Sequence, residues 1–151
     1  MRLLAAALCL LALPAAAAEF RSAGDNGAVL YDAPSKQATP LFVVTHYYPL
    51  EVLVEVEGWA KVRDATGAIS WVEKGALSER QMVVVTAASA EARERPDEAA
   101  PVAFVAARNV ALELLDPAPQ AAPDAAHPAW LHVRHADGAD GYLRASACWG
   151  D

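Results

Sequence analysis

The side chains here whose types and spacing bear on chemistry are mostly aromatic. Trp59 lies at the start of Trp59–Arg63 and Trp71 within Ile69–Glu73, two runs with the period of strands joined by a turn at Thr66-Gly67. Val62 sits between Lys61 and Arg63, and Val72 between Trp71 and Glu73, so the valines face a core and both tryptophans face outward. A two-residue turn brings Trp59 and Trp71 to diagonal positions roughly 7 Å apart, within reach of one another. Trp130 and Tyr142 repeat the arrangement further on. Such rings serve either as an exposed platform for a peptide or glycan, or as cross-strand packing against a loop or a neighbouring unit. Tyr31, Tyr47 and Tyr48 form a second aromatic group. His46-Tyr47-Tyr48 precedes Pro49 in a turn, where rings either touch ligand or anchor their own loop.

The remaining chemistry is sparse. His127, His132 and His135 are close in sequence, but His132 and His135 fall on opposite sides of a strand running into a turn. No paired cysteines accompany them, so no metal site is expected. Cys148 sits beside a final turn where a core side chain belongs, as an inert buried thiol or, alternatively, a reactive thiol or one half of an intermolecular disulfide. The chain holds no Gly-x-Ser-x-Gly elbow, no His-Glu-x-x-His, no phosphate loop and no Cys-His peptidase signature. The expectation is a protein that is not an enzyme and needs no cofactor.

The elements that position these residues come in two copies. The stretch Gly58–Ser78 aligns without a gap on Ala129–Trp149. Trp59 meets Trp130, Val62 meets Val133, Arg63 meets Arg134, Gly67 meets Gly138, Trp71 meets Tyr142 and Ala76 meets Ala147. Upstream, Pro34 meets Pro96, Phe42 meets Phe104, Val43 meets Val105 and Leu50 meets Leu112. The extra residues of the second copy fall between Asp116 and Pro128, rich in Pro and Ala and without apolar period, hence an enlarged loop.

Within the first copy, Ala28–Tyr31, Leu41–Thr45, Glu51–Val56, Trp59–Arg63 and Ile69–Glu73 read as short strands. Along Glu51–Val56 the pattern puts Val52, Val54 and Val56 on one side and Glu51 and Glu55 on the other. Met82–Thr86 is a strong β run that either closes the first unit or opens the second. The fold class is all-β: two tandem small β-barrels at 19–81 and 82–151. Each is small enough to have a marginal core, so docking of the two would supply missing burial.

The first 18 residues read as a cleavable secretory signal. Arg2 is followed by an apolar run from Leu3, a break at Pro14 and small residues at Ala16 and Ala18. That run is shorter than the roughly 20 residues a membrane span needs. The expectation is a periplasmic or secreted protein with no stable membrane insertion after cleavage. Asp and Glu outnumber Lys and Arg 19 to 12 for a formal charge of −7, which disfavours nucleic acid as a partner.

The pattern Gly-Trp-x-x-Val-Arg, a Gly turn, an aromatic followed by Val or Leu, and a small turn resembles the C-terminal half of bacterial SH3-like (SH3b) domains. The stretch VVVTAASAEARERPDEAAPV, Val83–Val102, is similar to that family's opening strand and diverging turn, and Val29–Ser35 resembles the Ala-Leu-Tyr-Asp-Tyr opening of eukaryotic SH3 domains. The resemblance implies tandem SH3-like barrels in an exported protein, acting as a binding module whose partner is peptidoglycan or a periplasmic protein. The alternative is a structural subunit whose aromatic faces are buried between barrels or in a homodimer. Residue by residue, Glu73 and Ala76 stand where a proline-peptide groove has Pro and Tyr. The second copy has Arg144 and Ala147 there, and Arg93 where the first has Tyr31. The slots that grip a polyproline helix are therefore incomplete.

Overall fold

The computed structural model describes residues 18–116 and 130–151. The segment read as a secretory signal and the enlarged loop thus lie outside the described residues, apart from Ala18 and Asp116. The first sheet contains β1 (Glu19–Ala23), β2 (Ala28–Tyr31), β3 (Pro40–Val44), β4 (Pro49–Val56), β5 (Trp59–Arg63), β6 (Ile69–Glu73) and, after a 3-10 turn at Lys74–Ala76, β7 (Leu77–Ser78). The second contains β8 (Met82–Val85), β9 (Ser89–Arg93), β10 (Val102–Ala107), β11 (Ala111–Leu114), β12 (Trp130–Arg134), β13 (Asp140–Arg144) and, after a 3-10 turn at Ala145–Ala147, β14 (Cys148–Trp149). Strand order is β3-β2-β6-β5-β4-β1-β7 in one and β10-β9-β13-β12-β11-β8-β14 in the other. Exchanging each strand for its counterpart turns one order into the other, so the structure duplicates as the sequence does. Both are small SH3-like β-barrels.

Alternation along each strand decides what lies inside. On β5, Ala60 and Val62 are fully buried while Trp59, Lys61 and Arg63 are only partly so. The first core gathers Leu30, Leu50, Ala60, Val62 and Val72 with Ala23 and Ala28. The second gathers Val83, Val85, Leu112, Val133 and Leu143 with smaller alanines. Each fully buried Val or Leu stabilises its barrel by about 1.5–3 kcal/mol. Met82–Val85 pairs with β11 and β14, so this run opens the second barrel.

Three expectations are corrected. A first strand, β1, precedes Ala28, pairing with β4 and β7. Its sequence EFRSA has too little apolar alternation to announce a strand by itself. On β4, the register slips between Val52 and Val54, leaving Leu53 as an extra, bulged residue. Val52 keeps its inward side opposite Val62, but Val54 and Val56 switch to the outer face, opposite Lys61 and Trp59. The β5–β6 connection is not a two-residue turn. Residues 64–68 form a longer loop in which Asp64 Oδ1 accepts from the backbone N–H groups of Thr66 and Ala68, and Gly67 takes φ +88°.

The barrels also touch. Phe20 of β1 and Trp149 of β14 meet edge-on, ring centres 5.1 Å apart. Within the first barrel, just before the second begins, the buried Ser22 Oγ donates to the Arg80 carbonyl at 2.9 Å. A Cβ on Gly150 would lie 2.6 Å from the Met82 carbonyl oxygen and 3.0 Å from Pro49 Cβ, so only glycine lets the chain end approach the first barrel this closely.

Candidate functional site

The bulge at Leu53 adds Val54 and Val56 to the outer face of the first barrel. Residues paired across a sheet share a face. One row therefore runs Val54, Lys61, Trp71, Tyr31, and the next runs Val56, Trp59, Glu73. Trp59 and Trp71 are diagonal neighbours, as their spacing suggests. The ring that Trp59 meets edge-on, however, is Tyr31, at 5.5 Å and 85°. Trp71 has the Lys61 ammonium 5.8 Å from its ring centre. Val54 and Val56 are 49% and 39% exposed, and Ile69 at the far end of β6 is 50% exposed. The result is a contiguous apolar and aromatic surface, larger than the sequence pattern indicated. Its rim is ionic: Arg63 with Glu51 at 3.1 Å and Lys36 with Glu73 at 3.2 Å. Beside Tyr31 opens a shallow cavity of about 190 Å³ walled by Val29, Val43, Glu73 and Ala76.

The same face of the second barrel is closed by its own side chains. Trp130 pairs across the sheet with Arg144, whose guanidinium lies 4.5 Å from the Trp130 ring centre and is bonded to Glu98. Tyr142 is stacked on His132, 4.5 Å apart and 9° from parallel. The His132 ring sits between two carboxylates, Nε2 at 2.9 Å from Asp140 and Nδ1 at 3.3 Å from Asp116. In place of Tyr31 stands Arg93, which donates to Glu91 and to the Ala100 carbonyl. All four rings of the two predicted aromatic pairs are half-buried; Trp59–Trp71 lies beside the exposed Val54 and Val56, and Trp130–Tyr142 lies against Arg144 and His132.

The other candidates separate. Tyr31 joins Trp59, not Tyr47 and Tyr48. Tyr47 donates its hydroxyl to Asp25 at 2.7 Å and has the Arg80 guanidinium over its ring at 4.6 Å. The Asp25 carboxylate raises the phenol's pKa above its ordinary value. Tyr48 packs on the first core, and burial raises its pKa. Both act as anchors of the loop after β3. His135 lies 3.0 Å from Asp137 and against Phe104, away from the His132 cluster. Among the described residues no group of three or more His, Cys, Asp or Glu side chains is placed to hold a metal ion, and His127 lies outside them.

Cys148 is packed against the second core, with its thiol 3.8 Å from the Arg144 carbonyl. Burial, and then the Asp151 carboxylate, push its pKa from 9.0 up to about 12. The group with a raised pKa holds its proton in the folded state, so its stabilising contribution is intact below pH 9 and fades as pH rises toward 12. At pH 8 in native buffer, a thiol reagent is expected to modify Cys148 orders of magnitude more slowly than in denaturant. Equal rates would mean the thiol is accessible and activated.

Sequence reasoning missed Val54, Val56, Lys36 and the role of Glu73. The signal for Glu73 was present in the repeat, where Glu73 aligns with Arg144: one position, opposite charge.

Residues 24–79 match the family model of the bacterial SH3 domain. No curated protein matches the chain. Among solved structures, the chain is similar to NlpC2 and NlpC1 from Trichomonas vaginalis, with 16% and 14% identity and a TM-score of 0.39 for each. These alignments cover 89% and 93% of this chain but 49% and 48% of those proteins. An NlpC/P60 family protein from Bacillus cereus ATCC 10987 is 14% identical, with a TM-score of 0.38 over 87% of this chain and 56% of its own. The chain thus spans about half the length of these proteins.

Proposed function

We propose that this chain, which carries a bacterial SH3 domain over residues 24–79 and a second barrel of the same strand order behind it, is a non-enzymatic binding module of the cell envelope. In this reading residues 1–18 direct export and are removed, and the barrels span 19–81 and 82–151. The ligand is peptidoglycan, through its peptide or glycan part, or an envelope protein. The observation that carries the reading is the contrast between the two outer faces. On the first barrel the half-buried rings of Tyr31, Trp59 and Trp71 lie beside the exposed Val54 and Val56 with no guanidinium over Trp59, whereas in the second Arg144 lies over the Trp130 ring and His132 is stacked on Tyr142. Aromatic surface left in contact with water is a cost that binding removes, and rings at the centre of an interface carry a large share of its energy. The first barrel binds, and the second, docked through Trp149 and Phe20, supports it. The half-buried, hard-to-ionise Cys148 thiol agrees with a role without covalent catalysis by that residue.

The test is to express the full chain with its own leader, recover it from the envelope fraction and incubate it with purified peptidoglycan sacculi. Saturable retention is expected; a protein that stays in the supernatant removes peptidoglycan as the ligand.

A second reading, a homodimeric structural subunit, draws on one observation. β3 is an edge strand whose Leu41, Phe42 and Val43 are all exposed, Val43 at 75%. Sedimentation decides it. A monomer at micromolar concentration, with tryptophan emission quenched by acrylamide, excludes burial of these faces in a dimer.

A further inference from the structure

We infer that Tyr31, Trp59 and Glu73 form a binding site for an organic cation carried by the ligand, the ammonium or guanidinium of a peptide side chain. The inference rests on the reading of the first barrel's outer face as the binding surface, and adds what kind of group that face selects.

The two copies of the unit supply the reason. In the second barrel the site is already filled. Arg144 occupies the strand position opposite Trp130, its guanidinium lies over the Trp130 ring at 4.5 Å, and a carboxylate, Glu98, holds it there. That is a cation between an aromatic face and an anion, the arrangement in which cation–π attraction and ion pairing act together. The first barrel has the same tryptophan at the same place, but the residue opposite it is Glu73. The built-in cation has become a carboxylate. The second cation of that face, Arg93, has become Tyr31, whose ring stands edge-on to Trp59 and shares a cavity wall with Glu73. An occupied site in one copy is thus, in the other, two rings and a carboxylate whose built-in cation has moved to the place of Glu98: Lys36, which aligns with Glu98, pairs with Glu73, so the ion pair is kept with its charges exchanged and its cation now sits on an exposed loop.

The first barrel already draws its own lysines toward this surface. Lys36 Nζ lies 3.2 Å from Glu73 and Lys61 Nζ lies 5.8 Å from the Trp71 ring centre. Lys36 reaches in from the β2–β3 loop with a side chain 71% exposed, and an ion pair so open to water is weak and readily exchanged. It marks the place a ligand cation takes, and it competes for it. The formal charge of −7 favours the approach of such a ligand over an anionic one.

The experiment titrates the full chain, by tryptophan fluorescence and calorimetry, with three peptides: acetyl-Ala-Lys-Ala-amide, acetyl-Ala-Arg-Ala-amide, and the first with its lysine Nε-acetylated. Sacculus retention is measured in parallel. The two cationic peptides are expected to bind and the acetylated one to bind about tenfold or more weaker. Glu73→Gln is expected to weaken the cationic peptides about tenfold, and Lys36→Ala, which removes the internal competitor, to tighten them about two- to fivefold. Both positions are solvent-facing, and a thermal melt confirms that the variants fold. Equal binding of the acetylated peptide, or no effect of Glu73→Gln, overturns the inference. Retention on sacculi without binding of either cationic peptide overturns the cation site and leaves the binding face, as a sugar stacked on Trp59 would. Failure of both removes the face as well.

Discussion

Trp59→Ala is expected to weaken retention on sacculi at least about tenfold, while Trp130→Ala leaves it within about twofold. The two tryptophans occupy equivalent positions in two copies of one fold, so the comparison controls for fold and position. Trp59 is flanked by Val56 and Glu73 and meets the Tyr31 ring edge-on, and among the described residues no cation lies over it as Arg144 lies over Trp130. Removing a central tryptophan from a binding surface typically costs about 2 kcal/mol or more, which is about thirtyfold in affinity. Trp130 already spends its ring face on Arg144, so a ligand gains nothing there. Depletion of each variant from solution by increasing amounts of sacculi measures the effect. Equal losses for both variants would mean that the barrels bind equivalently.

Leu143→Ala is expected to be the most damaging single change to the fold. Leu143 has no exposed surface and packs in the second core with Val83, Val85, Leu112 and Val133. Truncating a buried leucine costs about 2–5 kcal/mol, depending on how far the cavity collapses. A barrel of this size has little more stability than that to lose. The second barrel should therefore populate unfolded states under native conditions, and Cys148, which packs on that core, should become reactive toward thiol reagents at pH 8. The first core is a separate cluster built around Leu50, Val62 and Val72. Binding through the first barrel should survive better than the second barrel's structure does. Thermal denaturation with parallel thiol labelling checks both outcomes. An unchanged melting temperature with a silent thiol would contradict the placement of Leu143 at the centre of the core.

Much of this architecture is legible in the residues. The alignment of Trp59 with Trp130 and of Leu50 with Leu112 identifies a duplication, and the strand order repeats it. Val62 and Val133, flanked by polar neighbours, are legible as core because period-two alternation has one solution once a face is buried. Trp59–Arg63 and Ile69–Glu73 have in the structure the boundaries that their alternation predicts. The site is less legible, for two reasons. A one-residue bulge at Leu53 reverses every later side chain of β4, and no composition signal marks it. Simple alternation therefore places Val54 and Val56 with Val52 in the core, whereas they belong to the outer surface. Whether an outward ring is open or covered depends on long, flexible side chains such as Arg144 reaching across a strand, and sequence spacing does not encode that reach. β1 is hidden for a third reason: its pairing with β4 and β7 is set by the barrel's closure, not by its own polar sequence EFRSA.

The most direct test of the division of labour between the barrels is to follow the indole N–H resonances of the four tryptophans while adding soluble peptidoglycan fragments. Trp59 and Trp71 are expected to shift progressively and saturate together, while Trp130, under Arg144, and Trp149, against Phe20, hold their positions. A shift of Trp130 with Trp59 unmoved, or four resonances that stay still at saturating fragment, would contradict a binding face on the first barrel.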